Sequence, residues 1–207
     1  MPKKSPILRE KKILTLLIGL CIIVYSAIGF WKYAHFRYNA IDLAYFNQVF
    51  WNSLQGHFFS QTIHPHPSLG DHAELLIPVL LPFYALWPDP RMLILLQAAA
   101  LALAAWPIWR IAHRRQKGWG YVPLGTVPKG TGISSSGTIP PLLIAAAWLA
   151  SPIVGNISLF EFHILPFAIP LLLFVADAYD RRALGEFIVW IAAALLVRED
   201  VALVVVA

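Results

Sequence analysis

FRYNAIDLAYFNQVFWNSLQGHFFSQTIHPHPSLGDHAE, from Phe36 to Glu74, is the one long polar interlude in an otherwise apolar chain. It holds five of the seven histidines, counting His35 at its edge, together with Asp42, Asp71 and Glu74. Between Asp42 and Gln55 the polar residues Gln48, Asn52 and Gln55 fall on one helical stripe, and Phe46, Val49, Phe50 and Leu54 on the opposite one. That spacing predicts an amphipathic helix along a membrane surface, begun by Asn39 or Asp42 and ended by Gly56. The prolines in His64-Pro-His-Pro-Ser-Leu-Gly-Asp-His predict an extended or turn-like segment after it. A membrane protein that folds an acidic, aromatic segment between its first two spans is expected to work there.

Composition sets the class. The 207 residues are 58% hydrophobic and 13% charged, with a mean hydropathy of +0.65. A soluble domain carries about 25% charged residues, so an all-α membrane protein in a single domain, residues 1–207, is expected. The net charge of +5 does not mark a nucleic-acid surface, because the basic residues cluster at the ends of apolar runs. Lys3, Lys4, Arg9, Lys11 and Lys12 precede one run; Arg110, Arg114, Arg115 and Lys117 follow a second, and Arg181 and Arg182 a third. Such clusters encode topology: the flanks rich in Lys and Arg stay on the cytoplasmic side. Cys21 is the only cysteine, so no internal disulfide can form.

Five spans follow in this fragment. Ile13–Trp31 is long enough to cross as an uncleaved anchor, which puts the N-terminus in the cytoplasm and residues 32–91 in a large external loop. Leu75–Trp87 is short and interrupted by two prolines, so it is expected to dip into the interface rather than cross. Met92–Ala112 then runs inward to the arginines, residues 117–140 form a flexible cytoplasmic loop rich in Gly, Ser, Thr and Pro, and Pro141–Ile157 returns outward. Ile164–Tyr179 runs back in, and Phe187–Ala207 turns outward again. The chain stops inside that last apolar run, as expected of the N-terminal part of a longer protein.

Arg198-Glu199-Asp200 is the strongest anomaly. A charge at the centre of a spanning helix costs about 2.5–3.5 kcal/mol on insertion scales. Consecutive helical residues do not face one another, so the three are not expected to pair among themselves. They need partners elsewhere or a helix break opening onto water, and they are read as lining a polar cavity. Asp42, a carboxylate at the membrane surface, is the candidate general base; its bland alternative is a helix cap. Asp71-His72 and Glu161-His163 are acid–imidazole pairs on the same external face and candidates for substrate binding. With Asp42 they offer oxygen and nitrogen ligands, which makes a divalent cation a candidate cofactor, although their spacing is not a metal signature.

The order of an N-terminal anchor, a loop opening with an aspartate before an amphipathic helix (IDLAYFNQVFWNSLQG), a His/Pro turn, a short surface segment and a span ending in basic residues resembles the GT-C class of membrane glycosyltransferases. That class includes the protein O-mannosyltransferases and the aminoarabinose transferases of lipid A. More closely, DLAYFNQVFWNSLQGHFF, LGDHAELLIPVLLPFYALWPDP, FEFH and LLVREDVALVV resemble an uncharacterised family of multi-pass prokaryotic membrane proteins, with Glu161 and Arg198 standing for its usual Asp and Lys. The GT-C resemblance implies a polyprenyl-phosphate sugar as donor and Asp42 as base on the acceptor, at the outer face of the cytoplasmic membrane. It further implies that Arg198 faces the donor phosphate, with Asp71, His72, Glu161 and His163 around it. The rival class is non-enzymatic: a transporter or assembly scaffold in which Arg198, Glu199 and Asp200 handle ions or partners, or an inactive fragment. An enzyme requires Asp42, Glu161 and Arg198 to converge on one cavity.

Overall fold

A computed structural model describes residues 6–39, 41–118 and 139–206, and every regular element among them is helical. Lys3, Lys4 and nearly all of the expected loop 117–140 lie outside the described residues.

Three helical segments have the length and apolarity to cross a membrane. The first is α1 (Pro6–Ala34), whose 29 residues rise about 44 Å. Leu16, Leu20 and Ile23 leave its outer face open for hydrocarbon, while Leu14, Ile18 and Cys21 pack inward with Trp109, Ala145 and Leu149. The second joins α4 (Pro90–Leu103) to α5 (Ala105–Gly118). Asp89 caps it by accepting from the Arg91 N–H, and Pro90 takes the first position, where no N–H is needed. The third combines α6 (Pro141–Leu149) and α7 (Pro152–Leu159), broken where Ser151 caps α7 through the Ile153 N–H.

Two shorter helices form an antiparallel pair, α8 (Ala168–Asp180) and α9 (Leu184–Leu195), with Phe174 stacked on Trp190 at 4.6 Å. The turn between them holds Arg182 at φ 55°. The final helix is α10 (Val201–Val206), so Arg198-Glu199-Asp200 occupies a turn between α9 and α10. No continuous helix carries the three charges through apolar surroundings, and a break is one of the two solutions the sequence left open.

The polar interlude folds as α2 (Ile41–Leu54), a long connection with a single 3₁₀ turn at Ser68–Gly70, and α3 (Ile77–Leu86). Gly56 ends α2 at φ +88°, in the left-handed region that favours glycine. The apolar stripe of α2 is used on protein: Phe46 and Phe50 meet Phe162 edge-on, and Phe50 also meets Tyr84. Its polar stripe is covered in turn, since Asn52 donates to the Ser60 carbonyl and Gln48 bonds Thr62. At ten residues with Pro82 inside it, α3 rises only about 15 Å, too little to cross.

Candidate functional site

Two ends of the bundle carry the charges. Glu10 on α1 accepts from the Trp109 indole on α5, and Asp177 on α8 meets Arg110 and Arg114 on α5, so the N-terminal end of α1 lies with the basic ends of α5 and α8. At the other end, after α1 and α7 and before α4, the polar interlude meets the Phe160-Glu161-Phe162-His163 turn and the break after α9.

That turn is fastened from below by Gln97 on α4, which is 2% exposed. Its amide donates to the Ile157 carbonyl at 2.8 Å and the Glu161 carbonyl at 3.3 Å, and its oxygen accepts from the His163 N–H at 2.8 Å. The Ile157 carbonyl belongs to the last turn of α7 and the other two groups lie just past it, where intrahelical partners run out. Held this way, the buried Glu161 carboxylate accepts from the N–H groups of Asp42 and Leu43 at 2.8 and 3.1 Å. The cap of α2 is therefore a carboxylate 119 residues away. Asn39 and Asp42 do not fill that role: Asp42 lies inside the first turn, where its own N–H is the donor. Negative charge also complements the positive end of the helix dipole.

With its backbone secured by Glu161, Asp42 leaves its side chain free to face His163, whose Nε2 is 3.4 Å from Oδ2. His163 Nδ1 lies 3.0 Å from the Glu161 carbonyl, which can only accept, so Nδ1 carries a proton. That leaves Nε2 as the ring nitrogen turned to the Asp42 carboxylate.

The acids and imidazoles that neighbour each other in sequence do not pair side chain to side chain. Asp71 is joined by His64 Nδ1 at 2.7 Å and the Tyr45 hydroxyl at 2.9 Å, with His66 at 3.6 Å. His72 instead donates to Glu199 at 2.8 Å, and a second Glu199 oxygen accepts from the Ala73 N–H at 2.8 Å. Residues adjacent in a turn point apart, so the acid–imidazole contacts cross between segments. Partial burial would raise the Asp71 carboxyl, but the hydrogen bonds from His64 and Tyr45 outweigh it and hold the group below its ordinary range. Burial and the Asp71 bond push the Tyr45 hydroxyl up.

Arg198 pairs with Asp200 through both Nε and Nη2. This overturns the expectation that the three consecutive charges cannot pair: the helix break lets the side chains of Arg198 and Asp200 fold onto each other. Glu199 points the other way, to His72.

These contacts frame two cavities. A polar one of about 360 Å³ is lined by Ile41, Asp42, Tyr45, Phe46, His64, Asp71, His72, Glu74, His163 and Arg198. An apolar groove of about 610 Å³ runs beside it along Ile157, Phe160, Leu165, Ala168, Ile169 and Leu172. His163 and Arg198 line both.

The chain belongs to a family of predicted membrane proteins (DUF2079). The family model matches residues 32–207, which takes in the polar interlude and both cavities. No curated protein and no solved structure matches the chain significantly.

Asp42, Asp71, His72, His163 and Arg198, all named from the sequence of this family member, line the polar cavity; Glu161 lines the groove. Glu199 and Asp200 stand behind the walls, holding His72 and Arg198. Among the described residues no group of three His, Cys, Asp or Glu side chains is arranged to hold a metal ion. The carboxylates are dispersed into separate pairs instead. Sequence reasoning missed Gln97, whose signal was a lone amide in an apolar span, and Tyr45, hidden among the aromatics of α2. It also left out His64, now a partner of Asp71, and Glu74.

Glu74 differs from its neighbours. It is 5% exposed and lines the polar cavity, and among the described residues its carboxylate has no hydrogen bond or ion pair. Burial pushes it up to about 7, against the pull of His72 and Arg198.

Proposed function

We propose that this protein is a membrane-embedded transferase of the GT-C kind, moving a sugar from a polyprenyl-phosphate donor to an acceptor at the outer face of the cytoplasmic membrane. The observation that carries the reading is the junction of the two cavities at His163 and Arg198. An apolar groove and a polar chamber with a guanidinium in the lining of both suit an amphiphile made of chain, phosphate and polar head. Asp42 lies in the wall of that same chamber.

In this reading the prenyl chain lies along Leu165, Ile169 and Leu172, the phosphate sits beside Arg198, and the sugar projects into the polar cavity. Asp42 takes the proton from the acceptor and shares it with His163 Nε2. The acceptor atom forms its bond to the anomeric carbon as the bond from that carbon to the phosphate oxygen breaks. The electron pair leaves on polyprenyl phosphate, where Arg198 offsets the charge. The orientation is supported by the basic residues: Arg9, Lys11 and Lys12 start α1, and Arg110, Arg114, Arg181 and Arg182 lie at the end opposite the cavities, as a cytoplasmic face requires.

The test is transfer by the full-length gene product in membranes, supplied with radiolabelled polyprenyl-phosphate sugars. Asp42→Asn keeps the backbone bond to Glu161 and removes the base, so transfer should fall on the order of 10²–10⁴-fold at unchanged protein level. Equal transfer by the variant would sink the role of Asp42. Absence of transfer across a panel of donors would overturn the transferase reading.

A further inference from the structure

One carboxyl in the lining of the polar cavity has no counter-charge within ion-pair distance among the described residues. Three carboxyls line it, Asp42, Asp71 and Glu74, against one guanidinium, Arg198, which already serves Asp200. His64 and His72 are committed to Asp71 and Glu199, and His163 faces Asp42. Glu74 is the residue this leaves over. It is 95% withdrawn from solvent by its 5% exposure, opens onto the cavity, and has no hydrogen-bond or ion-pair partner among the described residues. A carboxyl buried in that state is costly by itself and is relieved by a positive guest. A metal ion is a poor fit, because among the described residues no three ligating side chains converge. A primary ammonium fits better, since it needs only a few separated acceptors and no fixed coordination geometry.

We infer that the polar cavity binds a primary ammonium group, held by Glu74 and Asp42, on the substrate whose phosphate lies beside Arg198 or on the acceptor that meets it. The placement of phosphate and chain rests on the transferase reading above; the ammonium site rests on the cavity alone. The substrate class is thus narrowed to amine-bearing molecules, with the amine seated in the chamber rather than in the groove.

The experiment uses the full chain in detergent micelles at pH 8, where Glu74 is ionised, with ligand binding read from thermal shift. One arm compares phosphatidylethanolamine with phosphatidylglycerol of the same acyl chains. The second compares free ethanolamine with ethylene glycol. Binding of the amine-bearing probe at least tenfold tighter is expected, falling to within twofold in Glu74→Gln. A preference in the lipid arm assigns the ammonium to the lipid head; a preference confined to the soluble arm assigns it to a separate acceptor. Equal binding in both arms, or a preference that survives Glu74→Gln, overturns the inference. Neither readout requires sugar transfer, so failure of the transferase reading and failure of the ammonium site are told apart.

Discussion

At one end of the bundle the Asp177 carboxylate is fully buried and meets Arg110 at 3.1 Å, Arg114 at 2.7 Å and Arg181 at 3.2 Å. At the other end Glu74 is almost as deeply buried and, among the described residues, meets no cation within ion-pair distance. Both carboxyls come from a chain with few charges to place. Around Asp177 the arginines of α5 and α8 close on the acid from both sides, and Asp180 and Glu186 engage the remaining guanidinium groups. Around Glu74 the basic side chains are already engaged: Arg198 with Asp200, His72 with Glu199 and His64 with Asp71. Burial is shared by the two ends, so burial does not distinguish a lock from a site. The difference is whether the fold supplies the counter-charge or leaves a cavity where a ligand can supply it.

The sharpest way to break the comparison is at the saturated end. Asp177→Ala leaves Arg110, Arg114 and Arg181 facing one another, with 29%, 31% and 23% of their side chains exposed. Removing one partner of a buried charge network costs roughly 3–5 kcal/mol; the exposure of the arginines places this case toward the lower end. The expected result is a large fall in melting temperature and in folded yield in detergent. A loss under about 1 kcal/mol would mean that the arginines reach other partners and that this end is no lock.

The open end should respond with the opposite sign. Glu74 ionises near its ordinary value of 4.5 in the unfolded chain and at about 7 in the fold. Between those values the folded state holds the extra proton, so the contribution of Glu74 is present in full below 4.5 and is lost as pH rises through about 7. The effect amounts to at most about 3 kcal/mol. Glu74→Gln removes it, so the variant should be more stable than the parent at pH 8. Melting temperatures of the two across pH 4.5–8.5 give the difference curve, in which the histidines common to both cancel. A flat curve would mean that Glu74 has a counter-charge after all.

The helical membrane fold was legible because the bilayer demands long apolar runs with basic flanks, and those survive in α1, in α4 with α5, and in α6 with α7. The expectation that Asp42, Glu161 and Arg198 share one cavity is met by two of the three: Asp42 and Arg198 line the polar cavity, whereas Glu161 lines the groove and spends its carboxylate on the start of α2. What sequence could not give was who pairs with whom. Asp71-His72 and Glu161-His163 look like pairs on the line of the chain, yet neither carboxylate bonds its neighbouring imidazole: those of Asp71 and Glu161 go to His64 with Tyr45 and to the start of α2, and His163 reaches Glu161 only at its backbone carbonyl. Arg198 and Asp200 fail the helical rule against near-neighbour pairing because α9 stops at Leu195. The cap of α2 was misjudged for a related reason: local residues were weighed, and the donor set is satisfied by Glu161 from across the fold.

Gln97 sharpens the comparison from the middle, since it belongs to the open end but acts as a saturated group. Its amide is fully engaged by the Ile157 and Glu161 carbonyls and the His163 N–H. Gln97→Leu keeps the volume and removes these bonds, with only His163 Nδ1 left on the Glu161 carbonyl, at a cost of about 1–3 kcal/mol. Asp177→Ala should lower stability and leave ligand binding in the surviving folded protein intact. Gln97→Leu should lower stability less and also loosen the Glu161 turn, which holds the start of α2 and therefore Asp42. Thermal melting alongside binding of the amine-bearing probe separates the two: a drop in both for Gln97→Leu, and in melting alone for Asp177→Ala. Loss of melting temperature without any loss of binding in Gln97→Leu would show that the turn stays in place by packing of Phe162 against Phe46 and Phe50, and that the amide serves stability alone.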